Sequence, residues 1–157
     1  MKTENIPARE TGNKPPFTEI LKCKCPRCRR GDLFIEKNPY RFGQIMKMHE
    51  ACPVCGQPFE LEVGFYYGSS YVSYAICVAF SVATLIIFAL TIGVSTTDNR
   101  FFVWLILNGV LLVVLQPPLM RLARSIWLAF FVRYDHDWAT RPAEKPERVN
   151  EDQKNNW

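Results

Sequence analysis

Cys25-Pro26-Arg27-Cys28 and Cys52-Pro53-Val54-Cys55 are two Cys-x-x-Cys knuckles with 23 residues between them, a spacing suited to holding a metal ion. Zn2+ takes four ligands in a tetrahedron. Two cysteines three apart span one edge, and a second pair on a returning chain closes the other. Pro26 and Pro53 preset the backbone of a tight turn, and Gly56 can adopt positive φ so that amides face the sulfurs. The expected cofactor is Zn2+, with Cys25, Cys28, Cys52 and Cys55 as its metal ligands. Disulfides or a redox dithiol are the alternatives, but a thioredoxin-type motif needs a βαβ setting that this chain lacks. Cys23 lies too close to Cys25 to join the same tetrahedron easily, so a free thiol is preferred over a substitute ligand. His49 is a weaker alternative ligand, and Cys77 reads as a small packing residue inside an apolar stretch.

Four thiolates around Zn2+ carry a net charge of about −2, and Lys22, Lys24, Arg27, Arg29 and Arg30 lie close enough in sequence to offset it. The same cations invite a nucleic-acid reading. Balancing the cluster, setting topology and resting on anionic headgroups compete with it, and the nearby membrane disfavours nucleic acid. A catalytic zinc keeps an open position and a base nearby. Here the four cysteines fill the shell, and no His-Glu pair, Ser-His-Asp set or phosphate-cradling glycine loop accompanies them. The expectation is a protein that is not an enzyme: catalytic residues none, other cofactor-binding residues none.

The elements that must position these cysteines follow from a composition that is split. Mean hydropathy is near zero, yet residues 63–120 contain only Asp98 and Arg100 as charges. A bilayer core of about 30 Å needs about 20 helical residues. Tyr71–Ile92 exceeds that length and Phe101–Met120 meets it, and the rest of the chain cannot cover two buried helices of a soluble domain. The first residues carry no apolar run behind their positive charges, so the first span is expected to be an uncleaved anchor. Eleven Lys and Arg precede residue 63, one lies in 93–100 and seven follow Met120. The positive-inside rule then puts both termini in the cytoplasm of a multi-pass inner-membrane protein. A reducing compartment favours thiolate ligands over disulfides.

Within the head, Leu33-Phe34-Ile35 and the alternating Phe59–Val63 read as short strands, and Phe42–Glu50 as a turn or two of helix. Metal closure should organise so small a core. Tyr67, Tyr71 and Tyr74 share a helical face suited to the membrane–water boundary. Ala75, Ala79 and Ala83 form a small-residue stripe that could receive the second span or a second copy of the chain. Asn108, near the middle of the second span, should meet Ser81 or Thr84 rather than lipid. Pro117-Pro118 should end or kink the helix. Beyond it Arg121, Arg124 and Ser125 group on one face, which fits an amphipathic segment along the headgroups or a kinked extension of the span.

The two Cys-Pro-x-Cys knuckles, the glycine after the second, Gly64-Phe65-Tyr66-Tyr67-Gly68 leading into Tyr71-Val72-Ser73-Tyr74, and the Arg121–Trp127 and Phe131–Asp135 stretches together resemble a bacterial family. It is the family catalogued as domain of unknown function 983, and the resemblance covers roughly residues 20–135. It implies a cysteine-rich integral membrane protein of unassigned activity, with a pathway hint toward respiratory-complex biogenesis. The expected fold is a small zinc ribbon (a treble of short strands and turns) fused to an α-helical transmembrane hairpin, followed by an amphipathic or kinked helix. Residues 1–19 are expected as a disordered tail, 20–63 as the head and 64–134 as the membrane region. Helices are expected near 71–92, 101–116 and 119–134, with a disordered tail over 135–157. The favoured function is a membrane-anchored binding or assembly module with an unknown membrane or cytoplasmic protein partner. Metal or thiol handling is the alternative, and transport suffers because two spans alone enclose no path.

Overall fold

The computed structural model describes residues 15–93 and 99–143. Most of the expected N-terminal tail (1–14), the end of the C-terminal tail (144–157) and the hairpin connection 94–98 lie outside the described residues. Three α-helices are present among the described residues: α1 (Thr18–Leu21), α2 (Ser69–Thr91) and α3 (Arg100–Phe131). Both α2, with the 3-10 turn Phe65–Gly68 before it, and α3 are long and apolar enough to cross a membrane.

The hairpin is antiparallel, and one polar cluster sets its register. Asn108 donates from Nδ2 to Ser81 Oγ (3.1 Å) and accepts at Oδ1 from Thr84 Oγ1 (3.0 Å), while Ser81 passes its own proton to the Cys77 carbonyl (2.9 Å). Every polar atom of the amide that faces α2 is thereby satisfied by side chains, as hydrocarbon surroundings require. The half-buried face of α2 runs through Ser73, Ile76, Cys77, Phe80, Ser81, Thr84 and Phe88. Ala75, Ala79 and Ala83 are exposed on the other side. The alanine stripe therefore does not seat α3: the polar pairing at Asn108 turns the Ser81/Thr84 face inward and the alanines outward.

Pro117 and Pro118 lie inside α3 and do not end it. Each lacks an amide hydrogen, so the carbonyls of Val113 and Val114 lose their usual intrahelical donors, but the fixed proline φ is itself helical. At 1.5 Å per residue the 32 residues of α3 extend about 48 Å, about 18 Å more than a bilayer core. That excess is the seat of the head. Of the two expectations for residues 119–134, headgroup helix or kinked extension, the structure shows a helix continuous with the candidate span as far as Phe131, and its polar face turns onto the head.

The head has no strands among the described residues. Isolated antiparallel bridges join Lys24 to Asp32, Phe34 to Met48 and Ala51 to Pro58 among the described residues. Pro39, Pro58 and the knuckle turns interrupt each ladder after one pair, and Phe42–Glu50 forms only a 3-10 turn at Phe42–Gln44. Cys25, Cys28, Leu33, Phe34, Cys52 and Phe59 make a core that also contains Leu128 and Val132 from the end of α3. Leu128 has no exposed surface. Full burial of such side chains contributes about 1.5–3 kcal/mol each, so α3 supplies apolar mass that a lobe of this size lacks.

Residues 135–143, expected to belong to a disordered tail, are packed on the head. Trp138 packs against the same core, and Arg27 holds Asp135 (3.1 Å) and the carbonyls of Arg141 (2.8 Å) and Pro142 (3.2 Å). Residues 135–143 are a strap over the first knuckle, because a buried guanidinium must find several acceptors and this segment provides them.

Candidate metal centre and its helical seat

Each knuckle turns back on itself through the same backbone bond, from Arg29 N–H to Cys25 O (2.7 Å) and from Gly56 N–H to Cys52 O (2.9 Å). The residue after the second cysteine is left-handed in both, Gly56 at φ 70° and Arg29 at φ 56°. Glycine takes that conformation without strain, whereas arginine costs about 1–2 kcal/mol. Arg29 is held there by its Pro15 carbonyl acceptor (2.7 Å) and by stacking over Tyr134 (4.8 Å).

The turns bring the four sulfurs of Cys25, Cys28, Cys52 and Cys55 within 4.8 Å of one another. Cys25 and Cys55 sulfurs are 3.7 Å apart, as are those of Cys28 and Cys52. A tetrahedron with metal–sulfur bonds of about 2.3 Å has edges of about 3.8 Å, so the donor set fits a metal ion. Gly31 is part of the fit, because a Cβ there would collide with the Cys52 sulfur. Hydrogen bonding to Cys28 holds the Cys25 thiol far above its ordinary range, and the same bond lowers Cys28, helped by the Gly31 amide. Such a nest cannot carry four negative charges alone, which is what a divalent cation would correct.

Cys23 stands outside this cluster, half-buried, and burial pushes its thiol up to about 11. His49 is also outside, its amide donating to the Leu33 carbonyl (3.0 Å). Cys77 lies in α2 on the side of α3. The five cations of the first knuckle are engaged within the chain. Lys22 pairs with Glu19, Lys24 with Asp32, Arg27 with Asp135, Arg29 stacks on Tyr134 and Arg30 lies over Trp138. No open basic stripe of the kind that tracks phosphates is formed by them.

The seat of this centre is the distal part of α3. Arg121 donates from Nε to the Ile45 carbonyl (2.8 Å) and from one terminal nitrogen to Glu36 O (2.8 Å) and Lys37 O (3.3 Å), its guanidinium lying over Phe34 (4.8 Å). Arg124 reaches the Met46 carbonyl (3.3 Å) and covers Tyr66 (5.1 Å). Ser125 donates to Ile20 O (2.7 Å). The missing ladders leave the carbonyls of Glu36, Ile45 and Met46 to Arg121 and Arg124, while Ser125 adds a second donor to Ile20 O, which also accepts the Cys23 amide. The grouping of Arg121, Arg124 and Ser125 on one helical face was the signal available in the sequence, with the head rather than headgroups as its partner.

The joint between head and hairpin is the aromatic motif. Tyr66 is buried and its hydroxyl donates to Phe59 O (2.7 Å), while Trp127 Nε1 donates to Phe65 O (2.8 Å). Gly68 leaves the space that the Trp127 ring fills; a Cβ there would overlap it. Phe65 stacks edge-on against Phe131 at 5.1 Å. Second knuckle, aromatic joint and α3 thus form one packed unit. The model of a family of proteins of unknown function, DUF983, matches residues 42–131. The chain belongs to the DUF983 family. The DUF983 match takes in Cys52, Cys55, the Gly64–Gly68 joint and both long helices, and starts after Cys25 and Cys28. No curated protein and no solved structure matches the chain.

Proposed function

We propose that this protein is a membrane-anchored, non-enzymatic assembly module whose cytoplasmic head is closed by Zn2+ on Cys25, Cys28, Cys52 and Cys55. The observation that carries the proposal is the near-tetrahedral spacing of four sulfurs whose surrounding core is completed by the end of a candidate span. Bound there, the ion would supply structural cross-linking: four thiolates close its shell, so no position is left for substrate or water. The charge asymmetry of the chain supports a cytoplasmic head and termini in an inner membrane. A rigidly mounted head suits presentation of a fixed surface to a membrane or cytoplasmic protein. The process attached to this reading, respiratory-complex biogenesis, comes with the family resemblance and from no single residue of the chain.

The test is elemental analysis of purified protein, followed by affinity capture from native membranes in mild detergent. One zinc per chain, and recovery of respiratory-complex subunits by the wild type but not by Cys52→Ser, is the expected result. Metal-free protein that retains its fold would remove the proposal. Metal or thiol handling is the second reading. Cys23 is its only carrier near the cluster among the described residues, and its half-burial outside the cluster argues against transfer. Impaired metal exchange by folded Cys23→Ser would reinstate it.

A further inference from the structure

One loop of the head is held by the part of α3 nearest its apolar half. The polar contacts of α3 with the head descend in order along the helix. Leu128 and Val132 enter the cysteine core, Ser125 meets Ile20, Arg124 meets Met46, and Arg121 meets Glu36, Lys37 and Ile45. Residues 38–44 are the loop between the segments that Arg121 holds, and Arg121 is the anchoring residue nearest the apolar half of α3. The hairpin register, fixed by Asn108 with Ser81 and Thr84 and by Trp127 with Phe65, places Arg121 opposite the start of α2. Tyr67, Tyr71 and Tyr74 point outward at that level, where amphipathic rings mark the edge of the hydrocarbon.

The loop is organised, not loose. Asn38 Oδ1 accepts from the Tyr40 amide (2.9 Å), Arg41 pairs with Glu36 (2.6 Å), and the Gln44 amide donates to Arg41 O (2.9 Å). These bonds hold Phe42 79% exposed and Tyr40 45% exposed at the tip. Lys37 and Lys47, both exposed, flank it. Isolated exposed apolar residues are ordinary on a protein surface. An ordered tip that presents two rings between lysines at the level of a tyrosine belt is suited to an anionic lipid surface.

We infer that Tyr40 and Phe42 dip into the headgroup layer of the same bilayer that α2 and α3 cross, with Lys37 and Lys47 on anionic headgroups. The inference rests on the membrane reading of those helices, and its experiment separates the two. Full-length, metal-loaded protein carrying p-benzoylphenylalanine in place of Phe42, Ile87 or Arg133 is placed in nanodiscs of phosphatidylglycerol and phosphatidylethanolamine, irradiated, and weighed intact. Ile87 is an exposed residue of α2 and Arg133 an exposed one beyond the end of α3. Lipid adducts at positions 42 and 87 but not 133 are expected. Replacing phosphatidylglycerol by phosphatidylcholine should cut the adduct at 42 several-fold and leave that at 87 unchanged. Adducts at 87 without any at 42, or a protein–protein adduct at 42, overturn the inference and leave the spans standing. Absence of adducts at all three positions overturns the membrane reading with it. Equal yield at 42 in both lipid mixtures overturns the role of the lysines.

Discussion

Between Phe101 and Leu115, α3 offers the Asn108 amide, satisfied by hydroxyl side chains of the neighbouring helix, and the Trp104 indole, whose buried N–H has no acceptor among the described residues. Between Arg121 and Phe131 the same helix offers Arg121, Arg124, Ser125 and Trp127, and all four donate to main-chain carbonyls: three of them in the head and one, Phe65, at its joint with α2. In the first half the partner is regular and its backbone is already paired, so only side chains remain to bond. In the second half the partner lacks continuous ladders, and long donors from the helix take the place of neighbouring strands. One helix thus serves two surroundings, with Pro117-Pro118 at the changeover. The contrast teaches that irregular backbone is tolerated when an adjacent helix brings the missing donors.

The strongest way to break the contrast is to remove the metal proposed for the cysteine cluster. Structural zinc sites contribute about 10–16 kcal/mol at neutral pH, so a chelator or Cys52→Ser should strip protection from residues 25–59 and from 121–138 together. Hydrogen exchange read by mass spectrometry should find 76–90 and 103–115 unchanged. Concerted loss in both halves would mean that they are not separately stabilised.

Next in size is Arg121→Ala. Hydrogen bonds to charged groups contribute about 1.5–3 kcal/mol, and Arg121, only 5% exposed, holds carbonyls on both sides of one loop. A loss of about 3 kcal/mol in the denaturant stability of the head is expected. Arg121→Lys should recover only part, since an ammonium cannot fork between acceptors on two segments. Full recovery would show that charge alone matters there.

Gly68→Ala should cost about 1–3 kcal/mol by overpacking against Trp127. Its signature is a change in tryptophan emission without loss of metal. An unaltered spectrum would mean that the joint is looser than its packing implies. The smallest effect belongs to the membrane half. Asn108→Leu removes interhelical bonds of a kind that averages about 0.6 kcal/mol, measurable by unfolding in mixed detergent micelles. A loss above about 2 kcal/mol would make the two halves energetically alike.

The cysteine cluster was legible because ligand spacing is local: two knuckles and a return of about 20 residues bring their own geometry. The Asn108–Ser81–Thr84 contact was legible for a similar reason, since a polar group in hydrocarbon has few places to go. Strands in the head were not, because Leu33–Ile35 has a strand-like pattern but pairs only at Phe34–Met48, and the alternation of Phe59–Val63 likewise builds no strand. The seat on α3 was half legible. Arg121, Arg124 and Ser125 cluster on any helical wheel, yet amphipathicity says that a face is polar and not what it meets. Arg27 and Asp135, 108 residues apart, could not be paired from spacing at all.

Because α3 passes from candidate span to head without a linker, any inclination of that span in a bilayer would be transmitted mechanically. With an overhang of about 18 Å, a change of 10° in inclination would swing the far end by about 3 Å. Spans adjust their inclination to bilayer thickness, so the tip of this lever arm would register thickness as lateral displacement, most compliantly at Pro117-Pro118, where backbone hydrogen bonds are fewest.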